Sequence, residues 1–269
     1  MSSLTTDQLF SVRGKVVLVT GGSRGIGEMI AAGFLANGAK VYISSRKAEV
    51  CDATAARLSA EYGAECISLP ADLSSLEGVD ALADALKARE DHLDVLVNNA
   101  GASWGGKIDE FPENGWDKVM DTNVKAVFFL TQRLLPLLEA AADADDPSRV
   151  INIGSVDGIR TPSFDTVSYG PSKAAVHSLT MQLAGKLVKR NILVNAIAPG
   201  PYPPWMLSTG VGTGGDVEGT DWASIGKMMP RGRVGTAEDI AGLAIFLASR
   251  AGAFTVGAVI TSDGGLVVS

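Results

Sequence analysis

Seven short, almost wholly apolar runs, separated by helix-period stretches, constrain this chain more than any other feature. The runs cover residues 16–19, 41–44, 66–69, 95–98, 150–153, 193–197 and 258–261. They do not alternate apolar with polar, the pattern expected where helices cover both faces of a parallel strand. Helical periodicity falls between them, over 27–37, 51–62, 79–87, 116–138, 172–189 and 237–249. Repeated strand–helix order requires right-handed crossovers. It predicts an α/β fold: a doubly wound parallel sheet of seven strands with helices on both faces. With no internal repeat or low-complexity linker, residues 1–269 read as one domain.

Two segments break the rhythm. Residues 143–149 are acidic with one proline and are expected to form a solvated loop. Residues 199–235 are rich in Gly and Pro and long for a connection, as a lid over a site would be.

Composition narrows the function. At 46% hydrophobic residues the chain can pack a core, which excludes a wholly disordered protein. Thirty acidic residues against 23 basic give a net charge of −7, which speaks against nucleic acid or an anionic membrane as partner. No apolar run reaches the ~18 residues of a bilayer span. Residues 1–10 lack the basic and apolar regions of a secretory signal, so a cytoplasmic protein is expected. Cys51 and Cys66 form neither a disulfide framework nor a metal pattern, and with His92 and His177 the only histidines no metal site is expected.

The first run leads into Thr20-Gly21-Gly22-Ser23-Arg24-Gly25-Ile26-Gly27 and then a helix. Gly21 permits the sharp turn, Gly25 lets the backbone approach a pyrophosphate, and Gly27 lets the helix pack on the strand. Open N–H groups and the dipole at the helix start then face the phosphates, so a dinucleotide site is expected. At the end of the second run an acidic residue would accept ribose hydroxyls; here Ser45-Arg46-Lys47 stands instead. Arg46, with Arg24 opposite, can fork onto a 2′-phosphate, which favours NADP(H); two solvated surface cations are the alternative.

The spacing Gly-x3-Gly-x-Gly resembles that of the short-chain dehydrogenase/reductase family, and further motifs follow in that family's order. They are Ala71-Asp72-Leu73, Asn98-Asn99-Ala100-Gly101, Asn123, Ser155, Tyr169-Gly170-Pro171-Ser172-Lys173, Pro199-Gly200 and Asp263-Gly264-Gly265. The resemblance spans about residues 12–266 and implies a Rossmann-type fold, NADP(H) as cofactor and a homotetramer or homodimer. It implies cofactor contacts from Gly21, Ser23, Arg24, Gly25, Ile26 and Gly27. Others would come from Ser45, Arg46, Asp72, Leu73, Asn99, Ala100, Gly101, Tyr169, Lys173, Pro199 and Gly200.

It also implies the catalytic set Asn123, Ser155, Tyr169 and Lys173. Tyr169 and Lys173 are four apart and share one helix face. The lysine's charge, joined by that of the oxidised nicotinamide, is expected to draw the phenol, normally near pH 10, toward the working range. Tyr169 then exchanges a proton with a carbonyl or alcohol oxygen, and Ser155, at the end of its strand, hydrogen-bonds the same oxygen. The family implies that Lys173 holds the nicotinamide ribose and that Asn123 orders a water between Lys173 and solvent.

Ser103-Trp104-Gly105, Ile151-Asn152-Ile153-Gly154-Ser155 and the prolines after Gly200 are similar to bacterial 3-oxoacyl reductases, including the type tied to rhamnolipid synthesis. A ketone or secondary alcohol is therefore the expected substrate, with 3-oxoacyl thioesters first. A sugar, polyol, cyclic alcohol or aromatic ketone, or a silent redox-sensing role, are the rivals. Tyr202, Trp205, Met206 and Trp104 are either walls of an apolar substrate pocket or lid packing, and Pro204 stands near the place of a usual cofactor contact. Asp157 either meets substrate or caps its loop, and His177 reads as packing. The apolar helix 237–249 is expected to lie at a subunit contact.

Overall fold

A computed structural model describes residues 4–161, 165–203 and 221–269. The chain runs through α1 (Thr6–Leu9), β1 (Val16–Thr20), α2 (Gly25–Ala36), β2 (Lys40–Ser44), α3 (Ala48–Tyr62), β3 (Cys66–Ser68) and α4 (Leu76–Lys87). It continues through β4 (Val95–Asn98), α5 (Glu113–Met120), α6 (Ala126–Ala141), β5 (Ser148–Ile153), α7 (Tyr169–Leu187) and β6 (Ile192–Pro199). It closes with α8 (Trp222–Met228), α9 (Ala237–Ala248) and β7 (Val259–Ser262). All seven strands pair in parallel in the order β3-β2-β1-β4-β5-β6-β7, so the expected doubly wound sheet is present. The winding reverses between β1 and β4, and a ligand crevice forms outside the carboxyl ends of strands at such a point.

Successive strand residues enter opposite cores. Val17 and Val19 pack with Ile30 and Phe34 of α2 and Ile240 and Leu247 of α9. Val16 and Leu18 pack with Leu82 and Leu86 of α4 and Leu130 and Leu134 of α6. Burying each such side chain stabilises the fold by about 1.5–3 kcal/mol, which is why the strands read as continuous apolar runs. The outer strands β3 and β7 depart from this, being only partly covered, because each has a single neighbour in the sheet.

Two other expectations change. The loop expected over 143–149 is shorter, because Ser148 and Arg149 open β5. Arg149 is 1% exposed and donates to the Ser249 carbonyl at 3.2 Å, so it belongs to the core and not to a solvated turn. The helix expected over 116–138 is interrupted by a π-helical turn, Asp121–Lys125, between α5 and α6. On α9, Ile240, Ala244 and Leu247 are buried within the chain, and a Cβ on Gly33 of α2 would lie 2.5 Å from the Ala241 Cβ, while Leu243 and Phe246 are only partly covered.

Candidate active site

The turn after β1 is built by its glycines. Gly21 and Gly25 have φ of 63° and 55°, a left-handed conformation that side chains disfavour. A Cβ on Gly27 would lie 2.3 Å from the Gly21 carbonyl oxygen and 2.4 Å from Asn99 Nδ2, so only glycine allows helix and turn to close. Arg24 occupies the N-cap position of α2 without a side-chain cap, leaving the first N–H groups of the helix to a ligand. Ser23 is buried and Ile26 packs on the core.

Threonine 20 fastens this turn to the next strand. Its hydroxyl accepts from the Asn99 and Ala100 N–H groups, both at 3.0 Å, while Asn99 Nδ2 donates to the Thr20 carbonyl at 2.8 Å. Across the crevice, the Ser44 and Ser45 hydroxyls are buried without a partner, and Arg46 is exposed beside them. Orphaned hydroxyls, an open helix start and an exposed guanidinium form a donor set that fits a phosphorylated dinucleotide. Asp72 is exposed and Leu73 buried after β3, and Gly200 follows β6, where its N–H donates to the Ser262 carbonyl at 3.0 Å.

The catalytic candidates converge at the carboxyl end of β5. The strand ends at Ile153; Ser155 lies beyond it, opening a 3-10 turn, and its hydroxyl accepts from the Asp157 N–H at 3.1 Å. Tyr169 begins α7, where Pro171 sits in the first turn and sacrifices no helical hydrogen bond. Lys173, one turn on, is 4% exposed, donates to the Ile153 carbonyl at 2.8 Å and lies 5.6 Å from the Tyr169 ring centroid. Burial lowers its amine to about 8.

In the protein alone the Tyr169 phenol shifts upward. Burial raises the Tyr169 phenol above its usual value, the nearby Asp157 adds to that, and a hydrogen bond with Ser155 works against it. Lys173 faces the ring, and in the protein alone desolvation decides the direction.

Asn123 lies in the π turn, 1% exposed, and both its amide hydrogens are committed. Nδ2 donates to the Ala102 carbonyl and to Ser172 Oγ, each at 2.9 Å, while Oδ1 accepts from the Ala102 N–H at 2.7 Å. A Cβ on Gly101 would lie 3.3 Å from Asn123 Oδ1 and 3.6 Å from Lys173 Nζ, so these three residues meet. The side chain ties the β4 loop to α7.

Behind the site runs a buried polar ladder that the sequence reading missed. Asn98 donates to Asn152 Oδ1 at 2.9 Å and to Thr131 Oγ1 at 3.1 Å, and Asn152 donates to Thr180 Oγ1 at 2.9 Å. It fixes the ends of β4 and β5 to α6 and α7. Its signal was present: two asparagines within otherwise apolar strands, now seen side by side in register.

Of the candidate pocket walls, Tyr202 turns inward. Its hydroxyl pairs with Ser262 Oγ at 2.5 Å and its ring occupies the space of a Gly235 side chain, so it packs the base of the loop. Trp104 packs on Gly115 of α5, with Lys118 Nζ 5.4 Å from its ring. Pro204, Trp205 and Met206 lie outside the described residues. Among those described, no helix is long and apolar enough to cross a membrane.

A family model described as enoyl-(acyl carrier protein) reductase matches residues 21–267. The chain is 52% identical over 256 residues to the rhamnolipids biosynthesis 3-oxoacyl-(acyl-carrier-protein) reductase of Pseudomonas aeruginosa, covering 95% of this chain and 97% of that one. It is 36% identical to the gluconate 5-dehydrogenase of Gluconobacter oxydans, covering 97% and 98%. The solved Pseudomonas aeruginosa RhlG/NADP active-site complex matches at a TM-score of 0.88 and 49% identity, covering 97% of this chain and 99% of that chain. With the glycine turn, Asn99–Gly101 and the Ser155, Tyr169, Lys173 cluster in one crevice, the chain belongs to the short-chain dehydrogenase/reductase family.

Proposed function

We propose that this protein is an NADP(H)-dependent oxidoreductase interconverting a ketone and a secondary alcohol, with 3-oxoacyl thioesters as the carbonyl substrate. The observation that carries the reading is the meeting of Ser155, Tyr169 and Lys173 beside the crevice where the sheet winding reverses. Similarity to the Pseudomonas reductase and to the NADP complex supports the acyl substrate and the phosphorylated cofactor. Similarity to the gluconate dehydrogenase makes keto-sugar acids the rival substrate class.

The residues divide the work. Gly21, Ser23, Gly25, Ile26 and Gly27 hold the pyrophosphate, Arg24, Ser45 and Arg46 the 2′-phosphate. Asp72, Leu73, Asn99, Ala100, Gly101, Pro199 and Gly200 border the remainder of the dinucleotide. NADPH, when bound, supplies the hydride. Tyr169, held protonated by burial, gives its phenolic proton to the carbonyl oxygen, and Ser155 donates a hydrogen bond to that oxygen. A raised phenol is protonated at neutral pH, the form that donates during reduction. Lys173 holds the nicotinamide ribose beneath Tyr169, and Asn123 fixes the loop against which both sit.

The test is an NADPH-consumption screen of the purified protein against 3-oxoacyl thioesters, keto-sugar acids, and cyclic and aromatic ketones. The thioesters are expected to lead in kcat/KM by about tenfold or more. A leading keto-sugar acid would overturn the substrate and leave the reaction class. Nucleotide binding without turnover on any carbonyl would favour a redox sensor.

The reading extends to a single domain acting in the cytoplasm as a homotetramer or homodimer. Phe254 is fully exposed, and Val256 and Met181 are exposed at 40% and 54% near the half-covered strand β7, an apolar surface that a second copy would bury. Light scattering at micromolar concentration is expected to give the mass of four chains, or of two. A monomer mass rejects the assembly.

A further inference from the structure

One turn beyond Lys173 on α7 stands His177, which the reaction above does not use. Its ring is 7% exposed, and Nε2 has no hydrogen-bond partner in the structure. The ring lies against the turn that carries Ser155. A Cβ on Gly154 would lie 2.2 Å from His177 Nε2 and 2.6 Å from Cδ2, and one on Gly158 would lie 2.8 Å from Cε1. The two glycines flank Ser155, Val156 and Asp157, so the imidazole occupies space that side chains on both ends of the turn would otherwise claim. Burial and the charge of Lys173 hold the imidazole below its usual range, which keeps it neutral. Lys173 in turn donates to the carbonyl of Ile153, the residue just before Gly154.

A buried polar nitrogen without a partner is costly and calls for a reason. We propose that His177 is a positioning residue: its neutral ring fills the space left by Gly154 and Gly158 and seats the 154–158 turn so that Ser155 reaches the Tyr169 hydroxyl. This rests on Ser155, Tyr169 and Lys173 being the catalytic set. The groups facing Tyr169 are Ser155 and Asp157 from the turn and Lys173 from α7. Of the groups that set its phenol, burial raises it most, the Ser155 hydrogen bond lowers it and Asp157 raises it less, so a turn displaced with both drives the phenol further up.

The experiment compares His177→Ala, Gly154→Ala and the double variant, with His177→Asn as a milder second change at the histidine. Alcohol oxidation is measured across pH, together with NADP+ affinity and thermal melting. Each single variant is expected to bind NADP+ like the parent, to lose about tenfold in kcat and to show the alkaline midpoint of kcat raised by about one pH unit. In the double variant a methyl group enters the vacated space, and both kcat and midpoint return toward the parent. Variants that lose only melting temperature while keeping the parent midpoint overturn the proposal, as do losses that simply add in the double variant. Tyr169→Phe separates the two levels of the argument. If it keeps parent turnover, the catalytic reading and this proposal both fall. If it abolishes turnover while the His177 and Gly154 variants keep the parent midpoint, this proposal alone falls.

Discussion

Tyr169→Phe is expected to lose turnover about 10²–10⁴-fold while binding NADPH within about threefold of the parent. The change removes one hydroxyl and leaves the ring that packs under Lys173, 5.6 Å from its ammonium. Only the proton carrier is lost. The sign of the pH dependence follows from the same environment. Because burial raises the phenol, it stays protonated through neutral pH, and kcat for reduction falls only on the alkaline side of the usual phenol range. Steady-state NADPH oxidation and a fluorescence titration of the cofactor check both halves. A variant within about threefold of the parent in kcat takes Tyr169 out of its role.

Arg46→Asp is expected to weaken NADPH about tenfold to a hundredfold while NADH affinity holds or improves. A hydrogen bond to a charged group contributes about 1.5–3 kcal/mol, and the new carboxylate also repels a 2′-phosphate. NADH has no such phosphate, and the carboxylate can accept its ribose hydroxyls. Arg46 is exposed at the end of β2 beside the orphaned Ser45 hydroxyl, so the exchange disturbs no buried contact. Titration of both reduced cofactors into parent and variant gives the ratio of dissociation constants. A parent that prefers NADH, or a variant that weakens both equally, makes Arg46 a surface cation.

What the sequence disclosed and what it withheld divide along local and non-local physics. Five buried strands were readable because a strand covered on both faces is mostly apolar, and the glycine turn because left-handed φ at Gly21 and Gly25 demands glycine. The candidate catalytic residues could be picked out because they stand at fixed spacing in a known order, and the fold brings Ser155, Tyr169 and Lys173 together. The π turn at Asn123 was not, since α5 and α6 share one apolar period across it. Arg149 looked like a surface charge because nothing near it in sequence shows that the Ser249 carbonyl waits in the core. The upward pull of burial on Tyr169 in the protein alone was not legible, because four-residue spacing to Lys173 is visible in a sequence and burial is not. Tyr202 stayed open between pocket wall and lid packing because its partner Ser262 stands sixty residues away.

The central claim is hydride transfer between NADPH and a carbonyl carbon, with the proton arriving separately through Tyr169. Its most direct test carries deuterium at the nicotinamide carbon that holds the hydride and follows it into product by mass spectrometry and NMR. The deuterium is expected on the carbinol carbon of the 3-hydroxyacyl product, in one stereochemical position, with solvent hydrogen entering only the hydroxyl. Deuterium absent from that carbon, or a carbinol hydrogen drawn from solvent, would contradict it.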